Sequence, residues 1–195
     1  MSYQMSSNIT GIIVSAVFVL GLTPGLAVAD CADEPAPSVN WTGCDKQGID
    51  LSGMDLTSAV LARANLENAN FSGSRLSHAE FNMANLKGAK FDKARMINAR
   101  LIGVKAREAS FNGAILDDAS LSRSSLNAAD FVGARLRRVN FYDADLANVD
   151  FTRANLEGAR LERAKMFAAK FEQANLESAN LESSDAETAI FRKAS

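Results

Sequence analysis

The chain has 195 residues and a formal net charge of −2 at pH 7, with 21 basic and 23 acidic side chains. It contains one histidine and two cysteines, too few for a metal site built from several histidines or for a cysteine cluster. The near-balanced charge also excludes a uniformly charged molecule.

The N-terminal residues have the pattern of an export signal. Residues 1–29 carry no charge, and Ile9–Leu22 is an apolar run too short to cross a bilayer comfortably. Because small residues at 27–29 suit signal peptidase, we expect a signal peptide over 1–29 and cleavage near Ala29/Asp30. The mature protein would be periplasmic or extracellular in a bacterium. An uncleaved membrane anchor is the alternative, since residues 1–8 lack Lys and Arg; a lipoprotein anchor at Cys31 is disfavoured by Asp30 before it.

The segment 30–48 contains both cysteines and reads as an irregular N-terminal cap or linker. In an oxidising compartment Cys31 and Cys44 are expected to form a disulfide. We expect Trp41 to cover the open apolar end of the domain that follows, held by this bridge. The alternative is a flexible linker with two free thiols.

The rest of the chain, 49–195, repeats with a period of five. Every fifth residue from Leu51 to Phe191 is large and apolar except Ala106 and Ala186, and the residue two places earlier is Ala in 21 of 29 cases. Five residues advance an α-helix by about 140° and end on the opposite face of a flat strand, so neither element gives a buried face. The pattern therefore predicts a solenoid that turns every five residues and points each fifth side chain inward.

A second spacing predicts how many five-residue segments make one coil. Phenylalanine recurs every 20 residues, which predicts four segments per coil with the rings stacked in a core column: Phe71, Phe91, Phe111, Phe131, Phe151, Phe171 and Phe191. Gly53, Gly73, Gly113 and Gly133 follow this column by two residues, where a turn with positive φ would favour glycine.

Stretches such as Ala64-Asn65-Leu66-Glu67-Asn68 and Ala154-Asn155-Leu156-Glu157-Gly158 resemble the pentapeptide-repeat family. The resemblance covers approximately 49–193. It implies an all-β fold, a right-handed quadrilateral β-helix of about seven coils of 20 residues. The tail 184–195 is open between a capping helix and a last coil, since Ser184 and Glu187 suit a capping box but Phe191 stays in register.

We find no residues that point to catalysis, a cofactor or a bound metal, so an enzyme is not expected. His78 should lie exposed, and carboxylate pairs such as Asp117-Asp118 arise routinely in such a repeat. The column of Asp130, Asp150 and Lys170 is expected to be a solvated charge ladder.

Surface charge is the more informative feature. Arg135, Arg137 and Arg138 form a short basic cluster, and the last coils are acidic. A longer cluster with one acidic residue among seven basic ones is a possible partner-binding surface, although a mixed solvated surface explains it as well: Lys87, Lys90, Lys93, Arg95, Arg100, Lys105 and Arg107.

Two functions compete at this point. The first is an exported, non-catalytic scaffold or protein-interaction module whose partner is another protein, with a dimer through the solenoid ends also possible. The second follows from family members that mimic DNA and bind DNA gyrase; the export signal and the near-neutral charge disfavour it. No small-molecule substrate is expected, nucleic-acid binding is a distant third, and membrane contact is expected only through the signal segment.

Overall fold

The computed structural model describes residues 29–195. These residues contain no helix and no continuous strand, but a regular series of isolated parallel β-bridges. Each bridge joins a residue to the one 20 positions later, from Asn40↔Val60 through to Lys170↔Ile190. The predicted signal segment, apart from Ala29, lies outside the described residues. In the part that the structure describes, no helix is long and apolar enough to span a membrane.

One five-residue unit shows how the backbone is satisfied. Phe111 N–H donates forward to Asp130 O at 2.7 Å, and Ile115 N–H donates backward to Ala94 O at 2.9 Å. Gly113 N–H reaches Val132 O at 3.0 Å, and Ala114 N–H closes the turn onto Phe111 O at 3.0 Å. Because Asn112 N–H donates to the Asp92 carboxylate at 3.1 Å, all five donors are paired.

The turn of each unit requires a left-handed backbone. Every fifth residue from Ser38 to Lys193 has a positive φ, and only nine of these residues are glycine. Gly53 and Gly133 have φ values of 68° and 64°, which confirms the turn predicted from their spacing. The other positions hold non-glycine residues, and among them Ala128 and Ala168 are poorly suited to this conformation. The ladder bonds on both sides of the turn therefore impose the conformation.

The aromatic column lies in the core. Phe71 to Phe171 are fully buried, and successive rings stack with centroids between 4.6 and 5.2 Å apart. Phe81 and Phe141 meet these rings edge-on from another column. Phe191 was predicted to be core and is instead 40% exposed. Its ring stacks on Phe171 at 4.8 Å, but no second ring covers its outer face.

The bridged region begins earlier than the predicted boundary at residue 49. Asn40 already pairs with Val60, and Trp41 takes the inward position that leucine takes later. Cys31 and Cys44 form a disulfide with a Cα–Cα distance of 5.5 Å. Trp41 is fully buried beneath this segment: its indole N–H donates to Asp33 O at 3.2 Å, and Lys46 Nζ lies 4.2 Å from the ring centroid.

The C-terminal segment continues the solenoid. Asp185 and Ile190 bridge back to Lys165 and Lys170, and Asp185 N–H donates to Ala164 O at 2.9 Å. The alternative of a capping helix over 184–195 is therefore wrong, because the ladder of the coil below binds this backbone.

Candidate interaction surface

Outward side chains stack in columns in which neighbours are 20 residues apart. Asn65 Nδ2 donates to Asp45 Oδ1 at 2.9 Å, and Asn70 Nδ2 donates to Asp50 Oδ1 at 3.0 Å. The Asp50 carboxylate also accepts Ser52 N–H at 3.0 Å, and the hydrogen bonds from Ser52 hold its pKa below the ordinary value. Columns of this kind give the exterior a fixed geometry.

The structure does not gather the predicted basic surface on one side. Lys90, Arg95, Arg100 and Lys105 are four consecutive bridged residues, so they follow one full coil around the solenoid. Only Lys87 and Arg107 share a column, as the bond from Gly88 N–H to Arg107 O shows. The seven residues therefore form a belt rather than a patch, because their span of 20 residues equals one coil.

Part of the belt is neutralised. Lys87 meets Glu67 at 3.2 Å, Arg100 is 4.0 Å from Glu80, and Arg107 meets Glu108 at 3.1 Å. The four other side chains have no ion pair or side-chain hydrogen bond within residues 29–195: Lys90, Lys93, Arg95 and Lys105. They are the cations of the belt that are open to an anionic partner.

A denser charge cluster lies around a buried carboxylate. The side chain of Asp117 is only 5% exposed, and its Oδ2 meets Arg135 Nε at 2.9 Å and Arg137 Nη2 at 3.3 Å. Arg137 N–H also donates to Asp117 Oδ1 at 3.3 Å, whereas the buried Nε of Arg137 has no acceptor. Asp117 is costly to bury alone, so the two guanidinium groups stabilise it.

Asp118, next in the chain, binds Arg138 in a bidentate pair with distances of 2.8 and 2.7 Å. The Arg138 guanidinium holds the pKa of the Asp118 carboxyl below its ordinary value, while desolvation opposes the shift. The same contact raises the pKa of Arg138. The sequence interpretation of Asp117 and Asp118 as a routine pair missed this cluster. Comparing each acidic residue with the one 20 positions later would have found it.

In two other columns a basic side chain also pairs with the acidic side chain 20 positions before it. Arg75 Nη2 lies 2.6 Å from Asp55 Oδ2, and this contact lowers the pKa of Asp55 strongly. Lys170 lies 3.5 Å from Asp150 in the predicted charge ladder. Burial raises the pKa of Asp150, but hydrogen bonds from Thr152 and the charge of Lys170 outweigh it, so the net shift is downward.

His78 is exposed at a turn with φ of 61°. Within the described range 29–195, no three His, Cys, Asp or Glu side chains are grouped to hold a metal ion. The arrangement supports ion pairing and hydrogen bonding along a rigid surface.

Family models match most of the described chain. A family model described as "Pentapeptide repeat region" matches residues 74–151, and one described as "Pentapeptide repeats (8 copies)" matches 40–73 and 144–182. No curated protein matches the chain.

Solved structures similar to the chain include HetL, QnrB1 and a plant protein. HetL, a protein involved in heterocyst differentiation regulation in the cyanobacterium Nostoc sp. strain PCC 7120, is 23% identical over 81% of this chain and 89% of its own, with a TM-score of 0.46. QnrB1, a plasmid-mediated fluoroquinolone resistance protein, is 16% identical over 82% and 90%, with a TM-score of 0.46. A pentapeptide repeat protein of the Arabidopsis thaliana thylakoid lumen is 31% identical over 55% and 68%, with a TM-score of 0.37.

Proposed function

Because this chain belongs to the pentapeptide-repeat family, whose members form right-handed β-helices, we propose that it is a non-catalytic, exported scaffold or protein-interaction module. The observation that carries the proposal is the unbroken parallel ladder from Asn40 to Ile190. It fixes every outward side chain in a column, so a partner meets a surface that needs no ordering on binding.

The form that we propose for the scaffold is a four-sided rod. Four bridged residues occur in each 20-residue step, and residues 40–179 make seven such steps with a partial one after them. Parallel ladder spacing of about 4.8 Å would give a rod on the order of 35 Å long. We also propose that the exterior, rather than a cavity, carries recognition.

Export is supported by the uncharged segment 1–29 and by the disulfide between Cys31 and Cys44. Cell fractionation of the tagged full chain, compared with a variant lacking 9–22, tests it. We expect the full chain outside the cytoplasm with the disulfide formed, and the variant inside. A full chain that stays in the cytoplasm would refute export without touching the scaffold proposal.

Site-specific photo-crosslinking tests the interaction role. A photoreactive residue placed singly at Lys90, Arg95, Arg100 and Lys105 samples four successive bridged columns of one coil. A partner that docks on one side should crosslink from one or two adjacent positions; Phe111, which is buried, is the matched negative control. Equal crosslinking from all four columns, or none, contradicts a specific docking surface.

The alternative function is a DNA-mimic binder of DNA gyrase. The near-balanced charge and the basic belt disfavour it, because a DNA mimic needs a strongly negative exterior. A supercoiling assay with the purified protein separates the two functions. Clear inhibition or protection of gyrase would favour the mimic and overturn our preference.

A further inference from the structure

One column of turn residues carries an exposed methionine, Met83, which forms an apolar tip, and two arginines lie in the same column. Arg63, Met83, Gly103 and Arg123 occupy the same turn in successive coils, linked by bonds such as Arg63 N–H to Asn82 O and Met83 N–H to Ile102 O, both 2.9 Å. We call these four residues the Met83 column. Met83 is 63% exposed, more than any other large hydrophobic side chain in the described chain, and so has no core role.

Met83 lies across the backbone of the next coil. A Cβ at Gly103 would lie only 2.6 Å from Met83 Sδ, so the glycine makes room for the thioether. Ile102, beside Gly103, is half-buried and continues the apolar surface. A flexible, polarisable methionine held over a glycine on a convex turn suits contact with an apolar phase outside the protein.

Four cations lie near this tip, together with one acidic residue, Glu80, which is a bridged residue beside Met83's own turn. Arg63 lies one coil below Met83 and Arg123 two coils above it in the column. Arg100 and Lys105 are the bridged residues on either side of the turn at Ile102, one coil above Met83. Arg100 has a carboxylate 4.0 Å away at Glu80. The other three side chains make no ion pair or hydrogen bond within residues 29–195, unlike Lys87 or Arg138, which have carboxylates one coil below.

We propose that the Met83 column is a peripheral contact site for an anionic lipid surface. Met83 and Ile102 would enter the boundary between headgroups and acyl chains, and the four cations would meet lipid phosphates. An exposed apolar tip with basic residues around it is the composition that favours interfacial binding. Each Lys or Arg near an anionic surface adds to the attraction, which acts within a Debye length.

The shape of the column favours a lipid surface over a protein partner. Arg100 and Lys105 lie on adjacent sides of a turn that the ladder holds rigid, so a protein partner would need a concave surface to meet both of them. A bilayer interface is soft, and its headgroups can reach both sides of a convex tip. The proposal goes beyond the scaffold role, since it concerns membrane contact by the folded domain.

A local fluorescence experiment on the full chain tests the contact. Met83→Trp places a reporter at the tip. Gln173→Trp places one at a positive-φ turn position that lies four and a half coils further along the solenoid, and therefore half a coil round from the Met83 column. The native Trp41 is fully buried in the parent chain, and its emission is common to both variants. The vesicles contain phosphatidylcholine and brominated phosphatidylglycerol in equal amounts, and we expect them to quench the fluorescence of the residue-83 reporter alone. The apolar run Ile9–Leu22 is present in both variants, so membrane binding by that run would affect both equally.

A charge experiment supplies the second measurement. In the Met83→Trp background, Arg63→Gln with Arg123→Gln should weaken vesicle binding about fivefold per charge, hence about 25-fold. Arg153→Gln with Lys193→Gln removes the same charge at matched turn positions and should change binding less than twofold or so. Absence of quenching at residue 83, or equal losses in both pairs, would overturn the proposal. Binding of poly-glutamate at residue 83 without vesicle binding would overturn it in favour of an acidic protein partner.

Discussion

Replacing Phe111 by leucine tests whether the stacked column stabilises the solenoid beyond simple burial. Phe111 is fully buried, and its ring lies 4.9 Å from Phe91 and 4.6 Å from Phe131. Leucine keeps an apolar side chain of a kind found in the neighbouring columns but removes both stacks. Two aromatic pairs contribute about 1–3 kcal/mol, and the unfilled volume adds about 1 kcal/mol, so we expect a loss of about 2–4 kcal/mol.

Phe191→Leu is the matched control in the same column. Phe191 is 40% exposed and stacks on one ring only, at 4.8 Å, so its replacement should cost about 0.5–1.5 kcal/mol and leave no cavity. Urea unfolding followed by circular dichroism gives both free energies, with the slope m checked against the parent. Equal losses at Phe111 and Phe191 would refute the argument, since position in the stack would then have no effect.

Four further outcomes are expected. Inserting one residue after Gly113 should lower the thermal midpoint far more than inserting 20, because only the first moves inward side chains outward; similar melting curves would contradict the register. Gly133→Ala should cost about 1 kcal/mol in urea unfolding, since nothing lies within 4 Å of the new Cβ and only the positive φ opposes it; an unchanged midpoint would contradict the strain. Reducing the N-terminal disulfide should increase acrylamide quenching of Trp41, which is the single tryptophan; unchanged quenching would mean that the cap stays closed without the bond. The depressed pKa of Asp118 adds stability that is complete above its ordinary pKa of 3.8 and is lost as pH falls through the lower folded value. The thermal midpoint should therefore fall less on acidification in Arg138→Gln than in the parent. Identical pH profiles would exclude a contribution from this pair.

Much of the interior was predictable because one spacing controls it. The period of five identifies the inward residues, and the 20-residue recurrence of phenylalanine identifies the stacked column, so Phe71 and Phe171 fall where expected. Phe191 and the start of the ladder were less predictable. At the start, Lys46 occupies an inward position, yet backbone bonds continue there, since the ladder depends on N–H and C=O groups rather than on side-chain type.

The surface was harder to predict for two reasons. Residues close in sequence, such as Lys90 and Arg100, lie in different columns, whereas residues 20 apart are neighbours. The seven basic residues that are close in sequence therefore form a belt around the solenoid. The burial of Asp117 also depends on which way the arginine side chains of the next coil bend, and the repeat pattern does not specify this.

The constant separation of bridged partners has a consequence for how the molecule folds. Every bridge from Asn40↔Val60 onward closes a loop of the same length. None of these bridges therefore requires residues far apart in sequence to meet. Two adjacent coils are enough for a nucleus, and each later coil adds to an edge already formed. Folding can therefore advance in the order in which the polypeptide emerges, starting at the coil that contains Trp41.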